Sequence, residues 1–195
     1  MAAMLMGAWS LQSCDNEPTK EVWLDEFGQD SCYVQDWGML EVNRSVVHTP
    51  LTVNGVVYER GLGAHSISRL LYDLDGKAVS ISGLAGADDK NLFAGKLQFK
   101  ILGDKKELWK SGVMQKGDPV KEFNVNLKGV DKVLLLVEEC GDGIMYDHAD
   151  WLNVKITTRG DVKPVPAWAK PVAKEKYILT PPAPESPDRK STRLN

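Results

Sequence analysis

The stretch LQFKI, from Leu97 to Ile101, alternates apolar and polar side chains at every position, and FNVNL, from Phe123 to Leu127, repeats the pattern. Successive side chains of a β-strand point to opposite faces, so strict alternation predicts strands with one buried face and one face in water. The turn signal Gly103-Asp104 follows the first stretch and lets the chain reverse there. The two stretches therefore predict antiparallel strands.

The same pattern continues on both sides of these stretches, from Val22 to Thr158. Turn signals such as Asn54-Gly55 and Asp142-Gly143 separate short runs that are rich in β-branched and aromatic residues. These runs are VVYERG, SRLLYDL, AVSISGLAG, KELWKSG, KVLLLVEEC and DWLNVKITTR. No long segment shows a helical period, so the sequence predicts an all-β fold, an antiparallel β-sandwich of the jelly-roll type.

The N-terminal segment, residues 1–20, is predicted to be a truncated lipoprotein signal and tether. LQSC, ending at Cys14, resembles a bacterial lipobox, and the apolar run before it is shorter than the ~20 residues that span a bilayer. A complete signal peptide has a Lys or Arg before its apolar run, and this chain has none there. We expect export to the cell surface or periplasm, with membrane attachment only through a lipid on Cys14. A buried N-terminal segment is the alternative.

The C-terminal segment, residues 161–195, holds seven of the ten prolines and is predicted to be a Pro-rich linker. Its last residues, RKSTRLN, resemble translated adapter sequence rather than a natural end. The 195 residues thus provide one domain, 21–160, between two tails. A net charge of -3 gives no reason to expect nucleic acid as a partner. Cys32 and Cys140 are expected to be free thiols, although the sequence leaves their pairing open, and no Cys/His spacing indicates zinc.

Two motifs resemble the NPCBM modules, which are grouped with carbohydrate-binding module family 51. They are GLGAHS, from Gly61 to Ser66, and DGIMYDHADW, from Asp142 to Trp151, and the likeness extends over roughly Glu21 to Thr158. The resemblance implies a β-sandwich that accompanies a glycoside hydrolase and binds a galactose-containing glycan. The chain departs from the family at GADDKN, where Lys90 replaces an acid. The tail segment KYILTPPAPESP resembles the connector before the catalytic barrel of Bacteroidetes α-galactosidases of glycoside hydrolase family 27.

A sugar site needs a flat aromatic face for the CH groups of the pyranose and a few fixed donors and acceptors for its hydroxyls. Trp37, in the polar segment QDWG, is the predicted stacking ring, with a core position as the alternative. His65, Asp147 and His148 are the predicted polar ligands, and we expect the segments that carry them to meet at one end of the sandwich. The alternative for the histidines is a structural one, with His65 tied to a neighbouring carbonyl and His148 held in a local turn.

Three further predictions concern the same segments. Asp150 and Trp151 are expected to be structural, although strand parity groups Trp151 with Asn153 and Lys155 rather than with the core aliphatics. Asp88 and Asp89 could give oxygens to a structural Ca²⁺, which takes six to eight of them; no cofactor is otherwise required. Asp147 and Asp150 could form a hydrolytic pair, but the chain carries no catalytic motif.

The sequence therefore predicts a non-catalytic module that recognises terminal galactose or an α-galactoside and targets a covalently linked glycoside hydrolase, an α-galactosidase. The alternative is a structural domain that packs on that catalytic domain without binding sugar.

Overall fold

A computed structural model of the chain describes residues 17–27, 33–93 and 95–160, together with the backbone of Val165–Pro166. The described part contains fourteen strands, one 3-10 turn at Leu24–Glu26 and no α-helix. The strands are β1 (Thr19–Trp23), β2 (Tyr33–Gln35), β3 (Glu41–Val42), β4 (Leu51–Val53), β5 (Val56–Tyr58), β6 (Gly61–His65), β7 (Ser68–Asp73), β8 (Ala78–Ala87), β9 (Leu97–Gly103), β10 (Lys106–Met114), β11 (Lys121–Asn126), β12 (Lys132–Glu139), β13 (His148–Arg159) and β14 (Val165–Pro166). The all-β prediction is confirmed.

Two six-stranded antiparallel sheets form the sandwich. The first has the order β11-β8-β13-β6-β3, with β1 pairing the second half of β13, and the second has the order β10-β9-β12-β7-β14, with β2 also pairing β7. A small separate ladder joins β4 to β5. Strands adjacent in space are mostly distant in sequence, so residues from widely separated motifs can meet at the sheet ends.

The core lies between the two sheets and is built from the alternating positions. Phe99, from the stretch that opened the sequence analysis, contacts Trp151 of the opposite sheet edge to face, with ring centroids 4.9 Å apart. Phe123 contacts the same indole at 5.7 Å, also edge to face. All three rings are almost completely buried. Edge-to-face contact is a favourable aromatic geometry, so these rings join the two sheets at the centre of the sandwich.

Strand parity misplaced Trp151 because β13 contains a bulge. The ladder between β13 and β8 shifts register between Leu152 and Lys155, and Asn153 has a left-handed backbone with φ of 49°. A bulge inserts one extra residue and so reverses the facing of every later side chain. Trp151 before the bulge and Val154 after it therefore both point into the core.

The predicted tails lie mostly outside the described residues. Strand β1 begins at Thr19 and pairs with the end of β13, while Val165–Pro166 pairs with β7. Cys14, Cys32 and the RKSTRLN end lie outside the described residues, so lipidation of Cys14, the free thiol of Cys32 and the adapter-like end remain predictions. Cys140 is a free cysteine. No described helix is long and apolar enough to cross a bilayer.

Candidate functional site

A cleft of about 510 Å³ opens at the end of the sandwich where β6 ends and β13 begins. Its size is in the range of pockets that enclose small ligands. The lining residues come from five separate segments of the chain, and we call the space the histidine cleft. They are Trp37, Val47, His65, Lys90, Leu92, Ile144, Met145, Tyr146 and His148.

Three rings form one wall of the histidine cleft. His65 of β6 and His148 of β13 are register partners in the first sheet, and their ring centroids lie 5.5 Å apart. Trp37 lies nearly parallel to the His148 ring, with a centroid distance of 5.9 Å and an interplanar angle of 8°, and 4.9 Å from the His65 ring. The structure thus brings together three of the four predicted sugar ligands, and Trp37 keeps 48% of its surface exposed.

Gln35 fixes the position of Trp37 beside the histidines. Its side-chain Oε1 accepts a hydrogen bond from the backbone N–H of His65 (3.1 Å), and its Nε2 donates to the carbonyl of Trp37 (2.8 Å). Gly38 then turns the chain with φ of 68°, and a Cβ there would come within 2.8 Å of Val46. Sequence reasoning did not identify Gln35, because a side-chain bridge over thirty residues leaves no local pattern.

His65 faces the cleft, as a ligand would, and is also tied to a neighbouring carbonyl, which was the structural alternative. Its Nδ1 lies 2.6 Å from the carbonyl oxygen of Ser66, so the neutral ring donates there and its Nε2 is an acceptor. Burial lowers the pKa of His65, and the carbonyl of Ser66 offsets part of this effect. At neutral pH the ring is therefore uncharged, and its Nε2 can accept a hydrogen bond from a hydroxyl group.

His148 is held by Asn91, a second residue that sequence reasoning missed. The Asn91 Oδ1 accepts from the backbone N–H of His148 (2.9 Å), and the Asn91 Nδ2 donates to the His148 carbonyl (3.1 Å). Burial lowers the pKa of His148 as well, so its ring is also neutral at pH 7. A buried amide that bonds both backbone groups of one residue fixes the start of β13 relative to the loop after β8.

Asp147, the fourth predicted ligand, lies behind the cleft wall rather than on it. Its side chain is completely buried, and its Oδ2 accepts a hydrogen bond of 2.5 Å from the Ser66 hydroxyl. The Ser66 backbone N–H also donates to the Asp147 carbonyl (3.1 Å). Burial raises the pKa of Asp147 to about 6, although the hydrogen bond from Ser66 opposes this. Asp147 therefore ties the β6 end to the β13 start.

Asp150 is buried next to Asp88, one of the two acids of the predicted metal pair. Burial raises the pKa of Asp150 well above its usual value, and the charge of Asp88 raises it further. Asp89 has a different role, because its two carboxylate oxygens accept the backbone N–H groups of Asn54 (3.0 Å) and Gly55 (2.7 Å). It anchors the β4–β5 turn, and its oxygens are engaged there.

The predicted calcium can be tested against this geometry. Asp88 Oδ2 and both carboxylate oxygens of Asp150 are buried and accept no hydrogen bond from another described residue, and a protonated Asp150 carboxyl can hydrogen-bond Asp88. Unpartnered buried carboxylate oxygens suit a hard cation, which prefers oxygen ligands. Within the described residues no group of three or more His, Cys, Asp or Glu side chains is arranged around a metal position. The pair thus fits part of a calcium shell, with the remaining oxygens to come from other groups.

The opposite wall of the cleft is apolar and exposed. Leu92 and Met145 expose 74% and 73% of their surfaces, and Tyr146 contacts the exposed Phe93 edge to face at 4.9 Å. Lys90 is the one residue with a permanent charge among those that line the cleft. The cleft therefore has an imidazole and indole wall, an apolar wall and one cation.

Comparison with known proteins agrees with this architecture. The sequence pattern of the NPCBM/NEW2 domain family matches residues 20–157. The chain is similar to the alpha-1,3-galactosidase B of Akkermansia muciniphila, with 29% identity over 130 residues. These residues are 65% of this chain but 16% of that enzyme, so the chain spans about a sixth of that curated relative.

Two solved structures share the fold. The CBM51 of a Clostridium perfringens GH95 protein, in complex with methyl-galactose, has a TM-score of 0.64 and 25% identity over 70% of this chain and 99% of its own. The structure of the M60 catalytic domain with the CBM51-1 and CBM51-2 domains of Clostridium perfringens ZmpB has a TM-score of 0.65 and 28% identity over 72% of this chain and 15% of its own. The sandwich is therefore of the CBM51 type.

Proposed function

The chain belongs to the NPCBM/NEW2 domain family, and from this premise we propose that it is a non-catalytic module that binds terminal galactose or an α-galactoside. Its histidine cleft holds the sugar, and its covalent partner is a glycoside hydrolase that the module brings to its substrate. The observation that carries the proposal is the half-exposed Trp37 beside the neutral His65 and His148 in one cleft. The similar CBM51 in complex with methyl-galactose supports the choice of sugar.

The chemistry of the three rings suits a galactoside. The exposed part of Trp37 offers an aromatic surface to the CH groups of the pyranose, and the Nε2 of His65 accepts a hydrogen bond from a sugar hydroxyl. A ring acceptor held by its hydrogen bond to Ser66 does not need to be ordered on binding, which limits the entropic cost. Such a site can distinguish an axial hydroxyl from an equatorial one.

The lining of the cleft favours binding over hydrolysis. A glycosidase needs two carboxyl groups that flank the scissile bond, at about 5–9.5 Å from each other. None of the nine residues that line the cleft carries a carboxylate, and Asp147 and Asp150 are completely buried behind it. Turnover of p-nitrophenyl α-galactoside by the purified chain would contradict this part of the proposal.

Calorimetric titration with methyl α-galactoside tests the binding, with methyl α-glucoside as the control for the axial hydroxyl. We expect a Kd of about 0.1–1 mM, as few atoms are desolvated. Trp37→Ala should remove measurable binding and leave the melting temperature within a few degrees of the wild type, because the ring is half exposed. A Trp37→Ala protein that binds with the original Kd would show that the sugar site lies elsewhere.

A structural interface domain is the second candidate function. Val56 and Val57 of β5 are both exposed although they are neighbours on one strand, and exposed apolar residues favour contact with a partner. If the module acts in this way, Val57→Lys weakens its association with the separately expressed catalytic domain, and no galactoside binds the isolated chain. Titration of the isolated chain therefore distinguishes the two candidates.

The wider setting remains part of the proposal. We infer that the protein is exported as a lipoprotein through Cys14 and that its catalytic partner is an α-galactosidase, on the basis of the lipobox-like and connector-like segments of the sequence. Labelling of the expressed protein with a palmitate analogue, with Cys14→Ala as the control, tests the lipid. Genomic sequence that follows Pro187 tests the identity of the catalytic domain.

A structural Ca²⁺ at Asp88 and Asp150 also belongs to the proposal. The two carboxylates would give oxygens to the ion, which would link the end of β8 to β13. We expect Ca²⁺ to raise the melting temperature and EDTA to lower it, because a ligand that binds only the folded state stabilises that state. Asp150→Asn should remove this difference, and identical melting curves of the wild type with Ca²⁺ and with EDTA would exclude the site.

A further inference from the structure

Lys90 adds a positive charge to the lining of the histidine cleft. Lys90 lines the cleft, and its side chain is exposed and forms no salt bridge with the residues that the structure describes. Its backbone is fixed, because its N–H donates to Asp88 Oδ1 (2.6 Å) and its neighbour Asn91 is bonded to His148. The Lys90 side chain therefore extends from a backbone that is held in place at the rim of the histidine cleft.

The acids nearest to Lys90 do not neutralise it. Asp88 is buried and accepts the backbone N–H of Lys90 rather than its ammonium, and Asp89 accepts two N–H groups of the β4–β5 turn. Lys116 brings a second ammonium group to the same loop, where its Nζ donates to the Asn91 carbonyl (2.8 Å). The residues that line the cleft thus include one ammonium group and no carboxylate.

We propose that the histidine cleft prefers a galactoside that carries a negative charge, as a sulfate ester or a carboxylate, and that Lys90 is the residue that recognises this charge. The inference rests on the proposed function and specifies its ligand class. A chain with a net charge of -3 does not attract anions in general, so a preference for an anionic sugar must come from a local cation. An ammonium pairs with sulfate or carboxylate as a point charge with three donors.

The size of the effect follows from the exposure of Lys90. Ion pairs at exposed positions contribute about 0.2–1 kcal/mol, which corresponds to about a one-and-a-half- to fivefold change in Kd. Salt screens such a pair, because the Debye length shrinks from about 10 Å at 0.1 M to about 3 Å at 1 M. The preference should therefore be modest and should disappear at high ionic strength, while the binding of the neutral sugar should persist.

The test is a set of titrations at low salt and fixed calcium with methyl galactoside, galactose 3-sulfate, galactose 6-sulfate and galacturonic acid. We expect the wild type to bind at least one of the three anionic sugars about two- to fivefold more tightly than the neutral one. Comparison of the two sulfates with the uronic acid shows whether the cleft prefers a sulfate ester or a carboxylate. Lys90→Gln should equalise the affinities, and Lys90→Glu should make the anionic sugars the weaker ligands. Lys128→Gln, which changes the same charge in the exposed turn after β11, should keep the preference.

Equal affinity of the wild type for neutral and anionic galactosides would overturn the inference and leave the proposed function intact. A preference that survives in Lys90→Gln would also overturn it, since another group would then be responsible. If no galactoside binds at all, neutral or charged, the proposed function itself fails. Melting curves of the two Lys90 variants confirm that each is folded before its affinities are compared.

Discussion

The cleft wall and the layer directly behind it are made of neighbouring residues with opposite properties. Trp37, His65 and His148 face the cleft. The His65 ring bonds the Ser66 carbonyl, and the backbone N–H of His148 donates to the Asn91 side chain. Asp150 and Trp151 lie two and three positions further along the chain from His148, and both are completely buried. From this comparison we expect substitutions in the wall to change sugar affinity and substitutions in the layer behind it to change stability.

The largest expected effect is that of Trp151→Ala. This substitution removes the indole that contacts Phe99 and Phe123 from both sheets, and a buried Trp→Ala change costs about 3–5 kcal/mol. Urea unfolding followed by circular dichroism measures the loss. Trp37→Ala is the matched control and should cost less than about 1 kcal/mol, because that ring is half exposed. If the two substitutions lowered the free energy of unfolding equally, the cleft wall and the layer behind it would not differ in their contribution to stability.

Asn91→Ala should affect both the sugar affinity of the cleft wall and the stability of the layer behind it. The amide bonds the backbone N–H and carbonyl of His148, and each buried group left without a partner costs about 1–3 kcal/mol. The carbonyl of His148 also accepts from the Asp88 N–H (3.0 Å), so the unpaired N–H should dominate the loss of about 2 kcal/mol. Asn91→Asp keeps the acceptor and should recover part of that loss.

The measurement for Asn91 combines urea unfolding with sugar titration. We expect a weaker Kd together with the lower stability, because the backbone that carries His148 is no longer fixed. A destabilised Asn91→Ala protein with unchanged affinity would show that the loop after β8 does not position the cleft wall.

The sequence was sufficient to predict the features of the wall and the layer behind it that depend on local pattern. Alternation identified the strands, and the motifs that contain His65 and His148 were expected to meet before their pairing was known. The sequence was insufficient where a long-range contact decides the geometry. Gln35 and Asn91 act through hydrogen bonds to distant segments, and the meeting of Asp88 with Asp150 depends on the register of β8 and β13.

The bulge in β13 shows the physical limit of the parity argument. Trp151 and Val154 share the core only because one inserted residue, Asn153, adopts a left-handed backbone. Asn is one of the residues that tolerate this conformation, but it does so in many places that form no bulge. Burial of Asp147 was unpredictable for a similar reason, because the motif that contains it also contains the exposed Met145.

Asp147 gives the layer behind the wall a pH dependence. Its pKa is raised to about 6 in the folded protein, mainly by burial, against an ordinary value of 3.8. The folded state therefore retains a proton that the unfolded state releases, so stability should be highest below about pH 4, fall as pH rises to about 6, and level off above that. The expected fall is at most about 3 kcal/mol, since each pH unit between 3.8 and about 6 contributes about 1.4 kcal/mol.

Urea unfolding from pH 4 to pH 8 measures this dependence, with Asp147→Asn as the control. The amide cannot ionise, and its oxygen can still accept from the Ser66 hydroxyl. The difference in stability between Asp147→Asn and the wild type should therefore grow between pH 4 and pH 6. A constant difference over that range would mean that the Asp147 carboxyl does not titrate in the folded protein as proposed.

The smallest expected effect belongs to His65 and concerns the affinity for the neutral sugar. Protonation places a hydrogen on Nε2, which can then no longer accept from a sugar hydroxyl, and burial lowers the pKa of this ring below its ordinary 6.5. The Kd for methyl galactoside should therefore stay constant from pH 8 to about 6.5 and increase as pH falls further. Loss of one hydrogen bond of about 1 kcal/mol gives a change of about fivefold in Kd.

Two variants serve as controls, because Asp147 titrates in the same pH range. Asp147→Asn should keep the pH dependence of the Kd. His65→Gln should bind more weakly at pH 8 and should lose that pH dependence. Tighter binding of the neutral sugar at low pH would show that His65 is not the acceptor, and the wall would then owe its affinity to Trp37 and His148.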